Sequence, residues 1–223
     1  MTVASTPHFL VIEVPDLVAA RQCFDEMSAL VPASGGVVLA AALPRDVEVL
    51  EAGTALAAVF IGRWPTAERL QAFWNRAGTR EAFASVETIP GSRAVSVIGI
   101  ADVGLPGDFL PTVATVKAPT LPTPPAYMLI QGTVVNLAPI EQYVATIMPM
   151  LRERLGYYVV YAVSPAVTVL HGDWQQQAYI LSRWPTLTAA RDFWYCERYQ
   201  DIAIPTRTGH GTFTVLLMPG LAG

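Results

Sequence analysis

The chain is poor in charge. Of its 223 residues only 14% are Asp, Glu, Lys or Arg, against roughly 25% in an ordinary soluble domain, and Lys117 is its single lysine. With a net charge of −4 and no clustered cations, it lacks the basic surface that binding to nucleic acid or an anionic membrane requires. It has two cysteines, Cys23 and Cys196, in no redox or metal spacing. They read as free, mostly buried thiols. Long apolar runs are missing too: stretches such as Gly36 to Leu43 fall far short of the roughly 18 residues of a membrane helix. Met1 to His8 has neither the basic start nor the apolar centre of a signal peptide, so the expected location is cytoplasmic.

What the chain does contain is hydrophobic material, 52% of all residues, and a sentence said twice. Arg63-Trp64-Pro65-Thr66 and Phe73-Trp74 return as Arg183-Trp184-Pro185-Thr186 and Phe193-Trp194, a constant shift of 120 positions (183 − 63). The same shift carries Gly36 onto Gly156, Ala42 onto Ala162, Val47 onto Val167, Val49-Leu50 onto Val169-Leu170 and Ala58 onto Ala178. The reading is a tandem duplication. It divides the chain into a unit over 7–100, a proline-rich linker over 101–126 and a second unit over 127–220, the linker being of extended character with a short strand around Val113 to Val116.

Within the first unit, Phe9 to Val14 reads as a strand, and Asp16 caps a helix whose apolar positions Ala20, Phe24, Met27 and Val31 step by three or four. Val37 to Leu43 is a strand, resumed over Val47 to Glu51 after Pro44-Arg45. Ala57 to Trp64 is the next, Thr66 caps a helix reaching about Arg76, and after an irregular stretch Ala94 to Ile100 closes the unit. The second unit repeats this βαββαβ order: Tyr127 to Val134, a helix capped by Asn136 with a kink expected at Pro149, Tyr157 to Val163, Val167 to His171, Ala178 to Trp184, a helix over Leu187 to Tyr199, and Thr212 to Met218.

In the second unit, Val169-Leu170-His171-Gly172-Asp173-Trp174, Arg183 to Thr186, Ala189 to Tyr195, Arg198-Tyr199-Gln200 and Leu216 to Gly220 together resemble a family of domains of unknown function, about 100 residues long, in the dimeric α/β-barrel superfamily. The first unit matches less closely, through Val49-Leu50-Glu51, Arg63 to Thr66 and Phe73-Trp74. Family members usually have Glu-Gly where the second unit has His171-Gly172. The resemblance implies an α+β fold of two ferredoxin-like units, each an antiparallel sheet in spatial order 4-1-3-2 with two helices on one face, here packed sheet to sheet as an intramolecular pseudo-dimeric barrel. Such packing explains how so apolar a chain hides its surface.

On that topology one rim of the second unit collects His171, Asp173, Trp174, Tyr179, Arg207 and His210, with Gln131 nearby. His171 beside Asp173 could act as a general base, and His210 joins them as a catalytic candidate; a hairpin histidine bonded to its turn, and an exposed loop histidine, are the bland readings of the two. A zinc site of the same three residues lacks a compact spacing. Trp174, Tyr179, Tyr161, Arg183, Arg207 and Gln131 are candidate substrate-binding residues. Arg63 and Arg183 could grip an anion or satisfy a structural role, whereas the paired tryptophans read as core. Tyr157, Tyr158, Tyr161 and Tyr179 have no aromatic counterparts in the first unit, which suggests a pocket kept in one half only.

The expected function is binding of a small, largely apolar molecule, extending to cofactor-free cyclase, isomerase or lyase chemistry. The alternative is a non-catalytic binding or assembly module, and haem or metal binding by a histidine is a third option. No cofactor, nucleic acid or membrane is called for, and a further homodimer is compatible with the pattern.

Overall fold

The computed structural model describes residues 6–51, 57–100 and 124–221. The linker anticipated over 101–126 lies outside these residues up to position 123, as does the strand anticipated at Val113 to Val116. The first half contains β1 (His8–Val14), α1 (Leu17–Leu30), β2 (Val37–Ala42), β3 (Glu48–Glu51), β4 (Ala58–Trp64), α2 (Ala67–Trp74), α3 (Ala77–Glu87) and β5 (Arg93–Ile98). The second has β6 (Ala126–Val134), α4 (Leu137–Glu153), β7 (Tyr157–Val163), β8 (Val167–His171), β9 (Ala178–Trp184), α5 (Leu187–Trp194), a π-helical turn over Arg198–Ala203, α6 (Ile204–Arg207) and β10 (Gly211–Pro219).

Local chemistry starts the helices where it should. The carboxylate of Asp16 accepts from the Ala19 N–H at 2.8 Å, and Thr66 and Thr186 cap α2 and α5 in the same way. Asn136 occupies the cap position of α4 without a side-chain bond, and α4 continues through Pro149 to Glu153. The stretch after Arg76, expected to be irregular, is α3: Thr79, Ala82, Phe83 and Val86 make a buried stripe that α1 covers. The helix expected to reach Tyr199 stops at Trp194, and the π-helical turn follows.

Two five-stranded antiparallel sheets result, ordered β2-β4-β1-β5-β8 and β3-β10-β6-β9-β7. Four strands of each follow the expected order, but the fifth is borrowed. The segment Val47 to Glu51 does not continue the β2 strand of its own sheet: a 3₁₀ turn at Pro44–Asp46 redirects it as β3 onto β10 of the second half. Reciprocally, β8 leaves its own half and pairs with β5. Two further main-chain bonds, Ile100 N–H to Val159 O at 2.9 Å and Leu221 N–H to Leu39 O at 2.8 Å, join the sheets along both open sides and close a barrel. This is the two-unit ferredoxin-like, pseudo-dimeric barrel.

Alternation along the strands assigns the faces. Phe9, Val11, Val59, Ile61, Val95 and Val97 of the first sheet meet Tyr127, Leu129, Leu181 and Leu216 of the second inside the barrel. Leu10, Ile12, Phe60 and Ala94 face the first half's helices. Trp64 and Trp184, both fully buried, belong to two different core clusters, Trp64 to the one facing the first half's helices and Trp184 to the larger one. Each lies on a glycine, Gly36 and Gly156, where an added Cβ would come within 2.6 Å of the indole. That explains why these four residues recur together.

Candidate functional site

The helix-facing side of the second sheet carries one continuous row: Tyr161, Ile180, Ile130, Val215 and Glu51 are successive register partners on β7, β9, β6, β10 and β3. Tyr161 begins it, three aliphatic side chains form its middle, and an acid lent by the first half ends it. Above the row stand the first two turns of α4, with Leu137, Ile140, Tyr143 and Val144, and beside them Arg207 from α6. Together with Tyr158, Gln177 and Phe213 they enclose a pocket of about 330 Å³, at the small end of ligand sites.

The corresponding row of the first sheet is Ala41, Phe60, Ile12, Ala94 and His171. Here bulk replaces space. Phe60 stands where the second half has Ile180, and Phe24 of α1 where it has Val144, one helical position for another after caps 120 residues apart (136 − 16). The two rings pack with centroids 5.5 Å apart. The tyrosine asymmetry noted in the sequence thus marks a real difference between the halves: Tyr158 and Tyr161 line the pocket, and Tyr143 takes the place of Cys23.

The pocket's polar groups are mostly donors. Arg207 is 4% exposed, gives Nη1–H to Glu51 Oε1 at 2.9 Å and Nη2–H to Glu51 Oε2, and lies over the rings of Phe213 (4.6 Å) and Tyr143 (5.3 Å). Its Nε–H has no partner among the described residues. Tyr143 and Tyr199 share a hydroxyl contact of 2.7 Å. Burial, above all, raises the pKa values of Tyr143, Tyr158, Tyr161 and Tyr199, so they remain neutral phenols at physiological pH. Burial, the largest influence, works against the Arg207 cation, but the hydrogen bonds to Glu51 together with the Tyr143, Tyr199 and Glu51 charges outweigh it and raise its pKa.

Other candidate residues lie elsewhere. Gln131, Trp174 and Tyr179 stand inside the barrel with two residues that sequence reasoning passed over, Glu13 and Arg93. Glu13, 3% exposed, accepts from Arg93 Nε (2.9 Å) and Nη2 (2.7 Å) and from Gln131 Nε2 (2.9 Å), while Gln131 Oε1 accepts from Trp174 Nε1 at 3.1 Å. Glu13 and Gln131 hold matching places in the two sheets, opposite Val59 on β4 and Tyr179 on β9. The barrel's approximate twofold therefore runs between them. The signal that could have found Glu13 was a lone acid within the apolar run Phe9 to Val14. Tyr179 packs against Trp174, and its fully buried hydroxyl has no partner among the described residues. Its pKa is raised well above the usual phenol value, first by burial and then by Glu13.

His171 and Asp173 line a wider cleft of about 540 Å³ at the barrel mouth, together with Glu13, Ser92 and Arg93. Because β8 crosses over, His171 belongs to the first sheet, where its ring meets Phe83 of α3 edge-on at 5.1 Å. His210 stays with the second sheet: its carbonyl accepts the N–H groups of Val135 and Asn136 at the start of α4. The two histidines are thus carried by different sheets, and neither lines the tyrosine pocket. Arg183 ends β9, with its guanidinium 5.9 Å from the Tyr157 ring. Among the described residues there is no cluster of three His, Cys, Asp or Glu side chains suited to a metal.

Residues 125–221 match the family described as a domain of unknown function (DUF1330). That is less than half of the chain, and it contains every pocket-lining residue. No curated protein matches the chain. Among solved structures, a candidate monooxygenase from Fusobacterium nucleatum subsp. nucleatum superposes with a TM-score of 0.54 at 9% identity, covering 98% of each chain. Another candidate monooxygenase, from Lactobacillus acidophilus NCFM, gives a TM-score of 0.49 at 12% identity, covering 97% of this chain and 100% of the other. At such identities the first likeness speaks for the fold alone, and the second carries no further argument.

Proposed function

We propose that the chain binds a small, largely apolar molecule with one hydrogen-bond-accepting group in the pocket of its second half. Tyr161 and the aliphatic row form the floor, α4 the roof, and Arg207 the polar end. The observation that carries this reading is that Phe24 and Phe60 of the first half have Val144 and Ile180 as their counterparts in the second, which leaves space in one half where the other is packed. It rests on a further proposal, that units over 7–100 and 127–220 arose by tandem duplication, after which the first gave up its pocket.

Binding is favoured over acid–base catalysis in this pocket by its lining. Among the described residues it holds no carboxylate and no histidine, and proton abstraction needs a base within hydrogen-bond reach. Cyclase, isomerase or lyase chemistry by His171 and Asp173 would belong to the barrel-mouth cleft, with His210 outside it. Gln131, Trp174 and Tyr179 then serve to hold that mouth in shape. No helix among the described residues is long and apolar enough to cross a membrane, and a cytoplasmic setting is part of this reading.

The test is to restore the first half's packing in the second. The neutral fluorophore N-phenyl-1-naphthylamine is expected to bind the wild-type chain with enhanced emission. Val144→Phe with Ile180→Phe should weaken that binding by at least about tenfold, a change of about 1.4 kcal/mol, while the melting temperature holds or rises. Undiminished probe binding in a folded double variant rejects the pocket.

A further inference from the structure

We infer that Glu51, supplied by the first half, makes the second half's pocket select uncharged ligands over anions. The inference rests on the pocket reading above and adds the ligand's charge class. An arginine at the end of an apolar pocket ordinarily invites a carboxylate, sulfonate or phosphate. Here the invitation is already taken. Both terminal nitrogens of Arg207 donate to the two oxygens of Glu51, and the rings of Phe213 and Tyr143 flank the guanidinium.

The pair presents no net charge to the pocket. An incoming anion would have to displace Glu51 from Arg207 or lie beside its carboxylate, and although that carboxylate is one-third exposed and partly screened, like charge disfavours either course. What remains without a partner among the described residues is one N–H, the Nε of a side chain that is 4% exposed and lines the pocket. A single N–H donor, on a cation whose charge is already balanced by Glu51, suits a carbonyl, ether or phenol oxygen. The tyrosine hydroxyls reinforce this preference, since they stay protonated and can donate to the same kind of atom. Glu51 does not itself line the pocket but bears on it through Arg207, which does; at the matching end of the first sheet's row stands His171, facing Phe83.

The acid also sits on an arm held in place by more than this pair. Glu48, three residues earlier on β3, accepts from Arg191 Nε at 2.7 Å and from the Tyr195 hydroxyl at 2.8 Å. Substituting Glu51 therefore leaves the strand anchored, and its effect reads the charge rather than the loss of the arm.

Two probes with the same aromatic skeleton separate the outcomes: neutral N-phenyl-1-naphthylamine and anionic 8-anilinonaphthalene-1-sulfonate. Wild type should favour the neutral probe. In Glu51→Gln, which keeps the shape and one acceptor oxygen, the affinity ratio of sulfonate to neutral probe should rise by about tenfold, equivalent to about 1.4 kcal/mol. Adding Arg207→Met should abolish the rise, which shows that the freed cation causes it. An unchanged ratio in Glu51→Gln, or a rise that survives Arg207→Met, overturns the inference. Each measurement is repeated with Val144→Phe and Ile180→Phe added. If the neutral probe binds as well with the pocket filled, the pocket reading itself has failed, a result distinct from an unchanged ratio. Should Glu51→Gln fail to fold, Glu51→Met with Arg207→Met replaces the pair by apolar groups and must still disfavour the sulfonate; equal affinity for both probes in that variant overturns the inference as well.

Discussion

Substituting Gly172 tests the contact by which one half is seated on the other. Gly172 turns the chain after β8 at φ +74°, and a Cβ placed there would stand 2.4 Å from the Ser92 carbonyl oxygen and 3.2 Å from Arg93 Cα, both main-chain atoms of the first half. Gly172→Ala therefore meets two costs. Left-handed backbone in a residue with a side chain costs about 1–2 kcal/mol, and forcing a methyl into filled space costs about 1–3 kcal/mol. The total is about 2–5 kcal/mol, which in a chain of this length lowers the melting temperature by about 4–20 °C. Gly209 supplies the control. Its φ is +79° but a Cβ there meets nothing within 4 Å, so Gly209→Ala carries the backbone cost alone, about 1–2 kcal/mol. Urea unfolding of the three proteins, read as midpoint shifts at constant slope, gives the difference. Equal destabilisation of the two variants would refute the packing argument, because backbone conformation is all they share.

Alkaline titration probes the buried phenols: Tyr158, Tyr179 and Tyr199 have folded pKa values well above the usual 10, chiefly through burial. A raised folded pKa means that their contribution is complete below about pH 10 and is lost as pH climbs through the folded values. Tyrosinate absorbance near 295 nm from these residues should thus appear together with the loss of far-ultraviolet circular dichroism, and full ionisation in a still-folded chain would contradict it. The ion pair inside the barrel gives a further expectation. Glu13→Ala leaves Arg93 and the Gln131 amide without their acceptor and should cost about 3 kcal/mol, the low end for a broken buried pair, because the Arg93 side chain keeps 16% exposure. Adding Arg93→Ala should recover part of the loss in a double-mutant cycle, and strictly additive losses would show that the two side chains act independently.

Sequence spoke clearest where structure is local. Asp16 and Thr66 announced their helices because a side-chain cap is a contact three residues long, whereas Asn136, read in the same way, stands at its helix start without that bond. Gly36 with Trp64 and Gly156 with Trp184 make the same local contact, in which the indole occupies the space of the missing Cβ. What escaped was long-range. A short edge strand carries the same pattern whether it pairs with its own sheet or another, so nothing in Val47 to Glu51 or Val167 to His171 disclosed that the two arms change places. His171 was expected near His210 for that reason. Helix α3 was missed because Gly78 and two arginines in Arg76 to Arg80 obscure the stripe of Thr79, Ala82, Phe83 and Val86. Of the pocket, Tyr161 and Arg207 were legible as residues, but their acidic partner from the other unit was not.

The crossed arms also couple the two halves. Removing the first half would take Glu51 away from Arg207 and leave the outer edge of β10 bare, with β6 as its remaining neighbour. Changes within it reach the second half through β3, through the pairing of β5 with β8 and through the hydrogen bond between Glu13 and Gln131.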